Sequence, residues 1–242
     1  QVSGFSAFWP RSGHSLTFLQ FTPEGLTQLL MWGGASADNS DQVVAEVITQ
    51  SAAQREGIDG RFEMVQWVGD QPPPFTAFHE MIPLKDLRFL LVGGARYGSN
   101  ALKAPAADEA WLISYDPGSQ KVLAQQKPGL GLGRIFHSAF SSDQNRVTVA
   151  GGWGGGDALL SDTVMFFDCA SSGNWETCVA EPWTAATNDA SNFTSRGGHS
   201  THLLSSGSAL MVGGDSSLSQ LQDGGINSLF MEIYTPSNVD LP

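Results

Sequence analysis

Short apolar runs rich in Val, Ile, Phe and Tyr alternate along the chain with breaks of Gly, Pro, Asn and Ser, the pattern of short strands in antiparallel sheets. Four runs end in a glycine pair: LLMWGG at Gly33-Gly34, FLLVGG at Gly93-Gly94, VTVAGG at Gly151-Gly152 and ALMVGG at Gly213-Gly214. The first glycines lie 60, 58 and 62 residues apart. A histidine precedes each pair: His14, His79, His137 and His199 stand 19, 14, 14 and 14 residues before the first glycine. Arg11, Arg134 and Arg196 lie three residues before three of these histidines, and Thr76 holds that place in the second copy. The clearest copy is RGGHSTHLLSSGSALMVGGD, from Arg196 to Asp215. A fixed period of this kind marks a repeat architecture.

Each glycine pair is followed by a polar loop and a further apolar strand: VVAEVITQ from Val43, AWLISYD from Ala110, TVMFFD from Thr163 and SLFMEIYTP from Ser228. RFEMVQWV, KVLAQQ and NWETCVA supply a fourth strand to the first three copies. The last copy has none, and VSGFSAFWP at the N-terminus is a spare. The expectation is an all-β propeller of four four-stranded antiparallel blades, with the N-terminal strand closing the last blade and removing exposed sheet edges. The blades span about 11–68, 77–126, 134–180 and 196–242 plus 1–9, within one domain over 1–242.

The run R-x-x-H-S, then V-x-G-G, then Tyr or Phe before Asp and a Trp-bearing strand, resembles the kelch repeat over essentially the whole chain. The last copy, GGHSTHLLSSGSALMVGGDS followed by MEIYTP, is most similar to the propeller units of the galactose oxidase and glyoxal oxidase group. The period exceeds the roughly 50 residues of the kelch motif. A compact four-bladed ring ranks first, ahead of a processed piece of a larger propeller and a ring completed by a second copy. In the oxidase group the histidine matching His199 is a copper ligand and the residue before it an axial tyrosine. Here that residue is Gly198, which implies a broken copper site.

Twelve Lys and Arg against 24 Asp and Glu give a net charge of −12, a field that repels phosphate backbones and anionic lipid; no nucleic acid is expected as a partner. No apolar run approaches the roughly 20 residues of a membrane helix, so no membrane insertion is expected. Cys169 and Cys178 enclose a short polar loop and read as a local disulfide, worth roughly 2 to 3 kcal/mol in the chain-entropy model. Asn192-Phe193-Thr194 is a glycosylation sequon. Together they point to an extracellular or cell-surface glycoprotein.

The repeated residues read as framework: glycine pairs for tight turns, histidines for packing and hydrogen bonding, arginines for bracing the loops between adjacent blades through backbone carbonyls. Function is expected where the copies diverge. First-to-second turns are short (TPEG, LKDL, SDQN, SSG), whereas the opposite face receives the long connections, on which binding residues concentrate. That face carries the candidate ligand-binding residues Arg96, Tyr97, Trp153, Asp157, Trp183, Asp215 and Asp223. Aromatic faces beside carboxylates suit a sugar or a protein surface. There is no G-x-S-x-G, H-E-x-x-H, P-loop or paired C-x-x-C, and neither a catalytic residue, a metal nor a cofactor is assigned. The leading expectation is a noncatalytic recognition module for a glycan or protein partner. The alternatives are a propeller enzyme of oxidase or carbohydrate-active type and a structural subunit of a larger extracellular assembly. Oligomeric state does not follow from the sequence.

Overall fold

The computed structural model describes residues 11–35, 45–50, 60–64, 66–68, 76–96, 106–143, 146–154, 164–168, 184–185, 196–215 and 231–234. Within them every regular element is a strand. The first sheet contains β1 (Ser15–Phe21), β2 (Thr27–Trp32), β3 (Ala45–Gln50) and β4 (Gly60–Met64) in sequence order. β5 (Gln66–Val68) then leaves that sheet, and β6 (Thr76–Ala77) leads into the second.

The second sheet is built from β7 (Glu80–Pro83), β8 (Arg88–Val92), β10 (Ala110–Asp116) and β11 (Lys121–Lys127), with β9 (Ala95–Arg96) pairing β6 as a separate ribbon. The third holds β12 (Ser138–Asp143), β13 (Arg146–Ala150), β14 (Val164–Asp168) and β15 (Thr184–Ala185). The fourth holds β16 (Gly197–Leu203), β17 (Ala209–Asp215) and β18 (Met231–Tyr234).

RFEMVQWV, expected as one fourth strand, is divided. Its first part is β4, while β5 pairs in parallel with β11 and makes the second sheet five-stranded. The short strand thereby covers the outer edge of the neighbouring sheet, where unpaired backbone groups would otherwise invite association. In the third sheet the partner of β14 is β15. NWETCVA at 174–180, the N-terminal strand at 1–9, and Cys169, Cys178 and Asn192 lie outside the described residues.

Consecutive sheets pack face to face, because alternation sends every second side chain of a strand to the same side. Leu30, Trp32 and Val47 of the first sheet meet Phe89, Leu91 and Ile113 of the second. Leu90, Val92 and Leu112 on the other face of the second sheet meet Val147 and Val149 of the third. Phe140 and Ala150 meet Ala209, Met211 and Tyr234 of the fourth. The first strands neighbour one another in the order β1, β7, β12, β16. Among the described residues no comparable packing joins β16 back to β1, and the outward faces there leave Leu16, Phe18, Met231 and Ile233 exposed.

The glycine pairs explain the fixed phase of the repeats. Both glycines of every pair have positive φ, from 62 to 99°. A Cβ on the second glycine would press on the histidine Cβ of the same repeat: Gly34 on His14, Gly94 on His79, Gly152 on His137 and Gly214 on His199. Only glycine combines that backbone with that approach. The residue after each pair bridges to the residue two before the histidine, in Ser12–Ala35, Ala77–Ala95, Ile135–Trp153 and Gly197–Asp215.

Candidate functional site

The arginines are framework, as expected, though each braces its own repeat. Arg11, Arg134 and Arg196 donate from Nη1 to the carbonyls of Gly33 (3.1 Å), Gly151 (3.1 Å) and Gly213 (3.3 Å). Arg196 Nη2 also lies 2.7 Å from Glu232 Oε2 on the third strand of its sheet, and Arg11 pairs with Glu46 at the matching position. Burial lowers the pKa of Arg11 and raises that of Glu46, each against the pull of the other's charge. In the third repeat the register position belongs to Met165, and burial brings Arg134 down to about 10.

The histidines do more than pack. Each precedes or begins a first strand beside the glycine pair that ends the second, so all four stand at the same end of the sheets, the end from which the long connections leave. There His14, His79, His137 and His199 line one cavity of about 230 Å³ with Gly13, Phe78, Glu80, Phe136 and Gly198. Two of them bond the residue after the histidine of the preceding repeat. His79 Nε2 is 2.9 Å from Ser15 Oγ, and His199 Nε2 is 2.7 Å from Ser138 Oγ.

The second repeat breaks this relay. Glu80 stands where the other copies have Ser15, Ser138 and Ser200. His137, which would receive that contact, is buried and has no side-chain hydrogen-bond partner among the described residues; its imidazole interacts with the Val92 backbone instead. Its ring passes over Gly93, where a Cβ would sit 2.6 Å from Cε1. Burial, then the charge of Arg134 and the neighbouring His79 and His199, push His137 well below the usual imidazole range. His199 is lowered to about 4, by burial and then Arg196. Both imidazoles are neutral at pH 7. Burial alone raises the Glu80 carboxyl to about 7.

The residue before each of the four histidines is left-handed: Gly13 (φ 68°), Phe78 (58°), Phe136 (53°) and Gly198 (71°). Glycine accepts this conformation freely, whereas a bulky side chain loses about 1–2 kcal/mol. Two of the four places nevertheless hold phenylalanine, and the two rings meet at 4.6 Å between centroids against the cavity. Gly13 leaves the space that the Phe78 ring enters. Phe78 N donates to Gly13 O and Gly198 N to Phe136 O, both at 2.7 Å, so backbone bonds between repeats hold these positions together.

The loop-face residues fare differently. Trp153 is 1% exposed, packed with Ala95 and Ile135, its ring edge-on to Phe136 at 5.9 Å. Asp215 is also buried. Both are the first residue after a glycine pair, and the bridge made there keeps them within the frame; neither presents a side chain to a ligand at the surface. Arg96 lies in β9, opposite Thr76. Tyr97, Asp157, Trp183 and Asp223 lie outside the described residues. Sequence reasoning missed Glu80, Phe78 and Phe136 as site residues. The available signal was their departure from Ser and Gly at fixed places in the repeat.

A copper centre does not fit the described residues. Gly198 has no phenol, and among the described residues no three His, Cys, Asp or Glu side chains are placed to share a metal ion.

No family model and no curated protein matches the chain. Among solved structures it is similar to that of YjhT, with 12% identity and a TM-score of 0.56, over 93% of this chain and 66% of that one. It is also similar to a novel fungal alcohol oxidase of the AA5 family in complex with copper, with 11% identity and a TM-score of 0.52, over 93% of this chain and 51% of that one. The chain thus spans just under two thirds of the first and about half of the second. At such identities the likeness is one of fold, consistent with a propeller-like arrangement of sheets.

Proposed function

We propose that the chain is a kelch-type, four-bladed propeller acting as a noncatalytic recognition module, displayed outside the cell, that binds a glycan or protein partner at the long-connection end of its sheets. One observation carries the reading: the histidine-lined cavity, drawn from all four repeats, lies at the end of the sheets from which the variable connections leave. A scaffold with short turns at one end and long connections around a cavity at the other has the anatomy of a binding face. Arg96, Tyr97, Asp157, Trp183 and Asp223 are the residues proposed to surround it, with Trp153 and Asp215 as buried support.

A glycan array and a pull-down with the intact chain test this. A ligand lost on Tyr97→Ala or Trp183→Ala supports the face; silence in both assays rejects it. The second reading, an enzyme of carbohydrate-active or oxidase type, draws on Glu80, a carboxyl near neutrality in a cavity, a property shared by general acids. Turnover of any sugar or alcohol that disappears in Glu80→Gln would favour it.

A further inference from the structure

The cavity is an unusual container for a carboxylate. Among the described residues Glu80 is the sole acidic side chain lining it, beside four imidazoles and two phenyl rings. The imidazole of His137 lines the same cavity, buried, with a backbone contact to Val92 and no side-chain partner among the described residues, so one ring nitrogen is left as an acceptor. Buried polar groups are ordinarily satisfied, so an unused acceptor on a cavity wall marks a place for a ligand atom. Phenylalanine at Phe78 and Phe136, in a backbone conformation that glycine adopts freely, brings two phenyl rings to the lining, 4.6 Å apart. The chain as a whole, at −12, attracts cations.

We infer that this cavity seats a primary ammonium group, with the Glu80 carboxylate as counter-ion, the rings of Phe78 and Phe136 as cation–π walls and the His137 imidazole as an acceptor. The inference rests on the recognition reading and names the chemistry recognised: the amine of a lysine side chain or of an amino sugar. An ammonium group carries only donors and the site presents acceptors and π-faces, so the two match. A carboxylate ligand meets Glu80 and is repelled.

The titratable groups that line the cavity with Glu80 are His14 beside β1, His79 on its own segment, His137 beside β12 and His199 of β16. Arg134, whose charge acts on His137, is bonded to Gly151 O. From β8, Arg88 is engaged with Asp86. An ammonium ligand holds Glu80 ionised, so binding strengthens as pH rises through 7 and fades below it. Any pH dependence left in Glu80→Gln belongs to the imidazoles.

Calorimetric or NMR titration of the intact chain tests this with Nα-acetyl-lysine amide and glucosamine, each against its N-acetylated neutral counterpart, at pH 8 and pH 5.5. One ammonium probe, and not its neutral counterpart, binds at pH 8, and which one identifies the source. Affinity falls about tenfold or more at pH 5.5 and in Glu80→Gln at pH 8, and roughly fivefold in Phe78→Leu. Equal binding of neutral counterparts, indifference to Glu80→Gln, or no binding of either ammonium probe overturns the inference. Array ligands without ammonium selectivity leave the recognition reading standing alone; ammonium binding with a silent array and pull-down does the reverse. Circular dichroism of both variants separates loss of binding from loss of fold.

Discussion

Gly197 of the fourth repeat lies against the six-membered ring of Trp153 from the third, so closely that a Cβ on Gly197 would overlap Cζ3 and Cε3 of the indole. The contact joins two sheets beside the cavity. It also accounts for the burial of a tryptophan that the sequence places at the start of a long connection.

Gly197→Ala is expected to cost about 2 kcal/mol in denaturant unfolding, because the φ of Gly197 is outside the left-handed region and the penalty is steric overpacking. Trp153→Phe shrinks the ring. The double variant should be less destabilised than the sum of the single ones by more than about 0.5 kcal/mol. Additive costs would show that the two side chains do not compete for the space.

Ser138 accepts a hydrogen bond from Thr201 Oγ1 at 2.7 Å and shares another with His199, all between the third and fourth sheets. Ser138→Ala leaves buried polar groups unsatisfied and should cost about 2 kcal/mol. Ser15→Ala, which breaks a half-buried contact to His79, should cost about 1 kcal/mol. Thermal and denaturant unfolding of the two variants check the order.

Glu80 binds its proton more tightly in the folded chain, with a pKa near 7 against the ordinary 4.5. Between those values the folded state holds more protons than the unfolded, so this residue's contribution to stability is full below pH 4.5 and is lost as pH rises to 7. Glu80→Gln should match the parent near pH 4 and exceed it by up to about 3 kcal/mol above pH 7. His199, lowered from 6.5 to about 4, acts in the opposite direction: its contribution is full above pH 6.5 and is lost as pH falls through 4. Unfolding measured at pH 4, 5.5 and 8 separates the two, and a Glu80→Gln gain that is the same at every pH would contradict the assignment.

The Arg196–Glu232 pair has side chains 4% and 21% exposed, whereas Asp86, paired with Arg88, is 75% exposed. Glu232→Ala strands a guanidinium that water reaches poorly, at an expected cost of about 2–3 kcal/mol. Asp86→Ala removes a surface pair and should cost less than about 1 kcal/mol. Comparable losses in the two variants would mean that burial is not what sets the worth of these pairs.

Much of the frame is legible in the sequence. Glycine punctuation and apolar runs mark β1, β2, β8, β10, β13 and β17, because backbone sterics and the two-residue period of a strand are local properties. The loop asymmetry was visible as well. β5 was not, since its own residues continue the β4 pattern, and the choice between sheets depends on which edge lies nearer. Trp153 was misplaced for a related reason: a residue after a glycine pair looks like loop, and only its bridge to Ile135 retains it in the frame.

Repetition itself hid the site. Four copies of a histidine read as packing and hydrogen bonding, and two of them, His79 and His199, do bond to the preceding repeat. What sets the second repeat apart is Glu80 in place of serine, and phenylalanine replaces glycine both there, at Phe78, and in the third repeat, at Phe136. By itself, then, the sequence determined the period, the strands and the glycine turns, which depend on neighbours within a few residues. Tertiary structure alone decided that residues some 60 positions apart share one cavity, that His137 and Glu80 line it together, and that the indole of Trp153 is sealed inside. Those outcomes follow from how the sheets pack on one another, where burial and long-range contact set the charge and the exposure of a side chain.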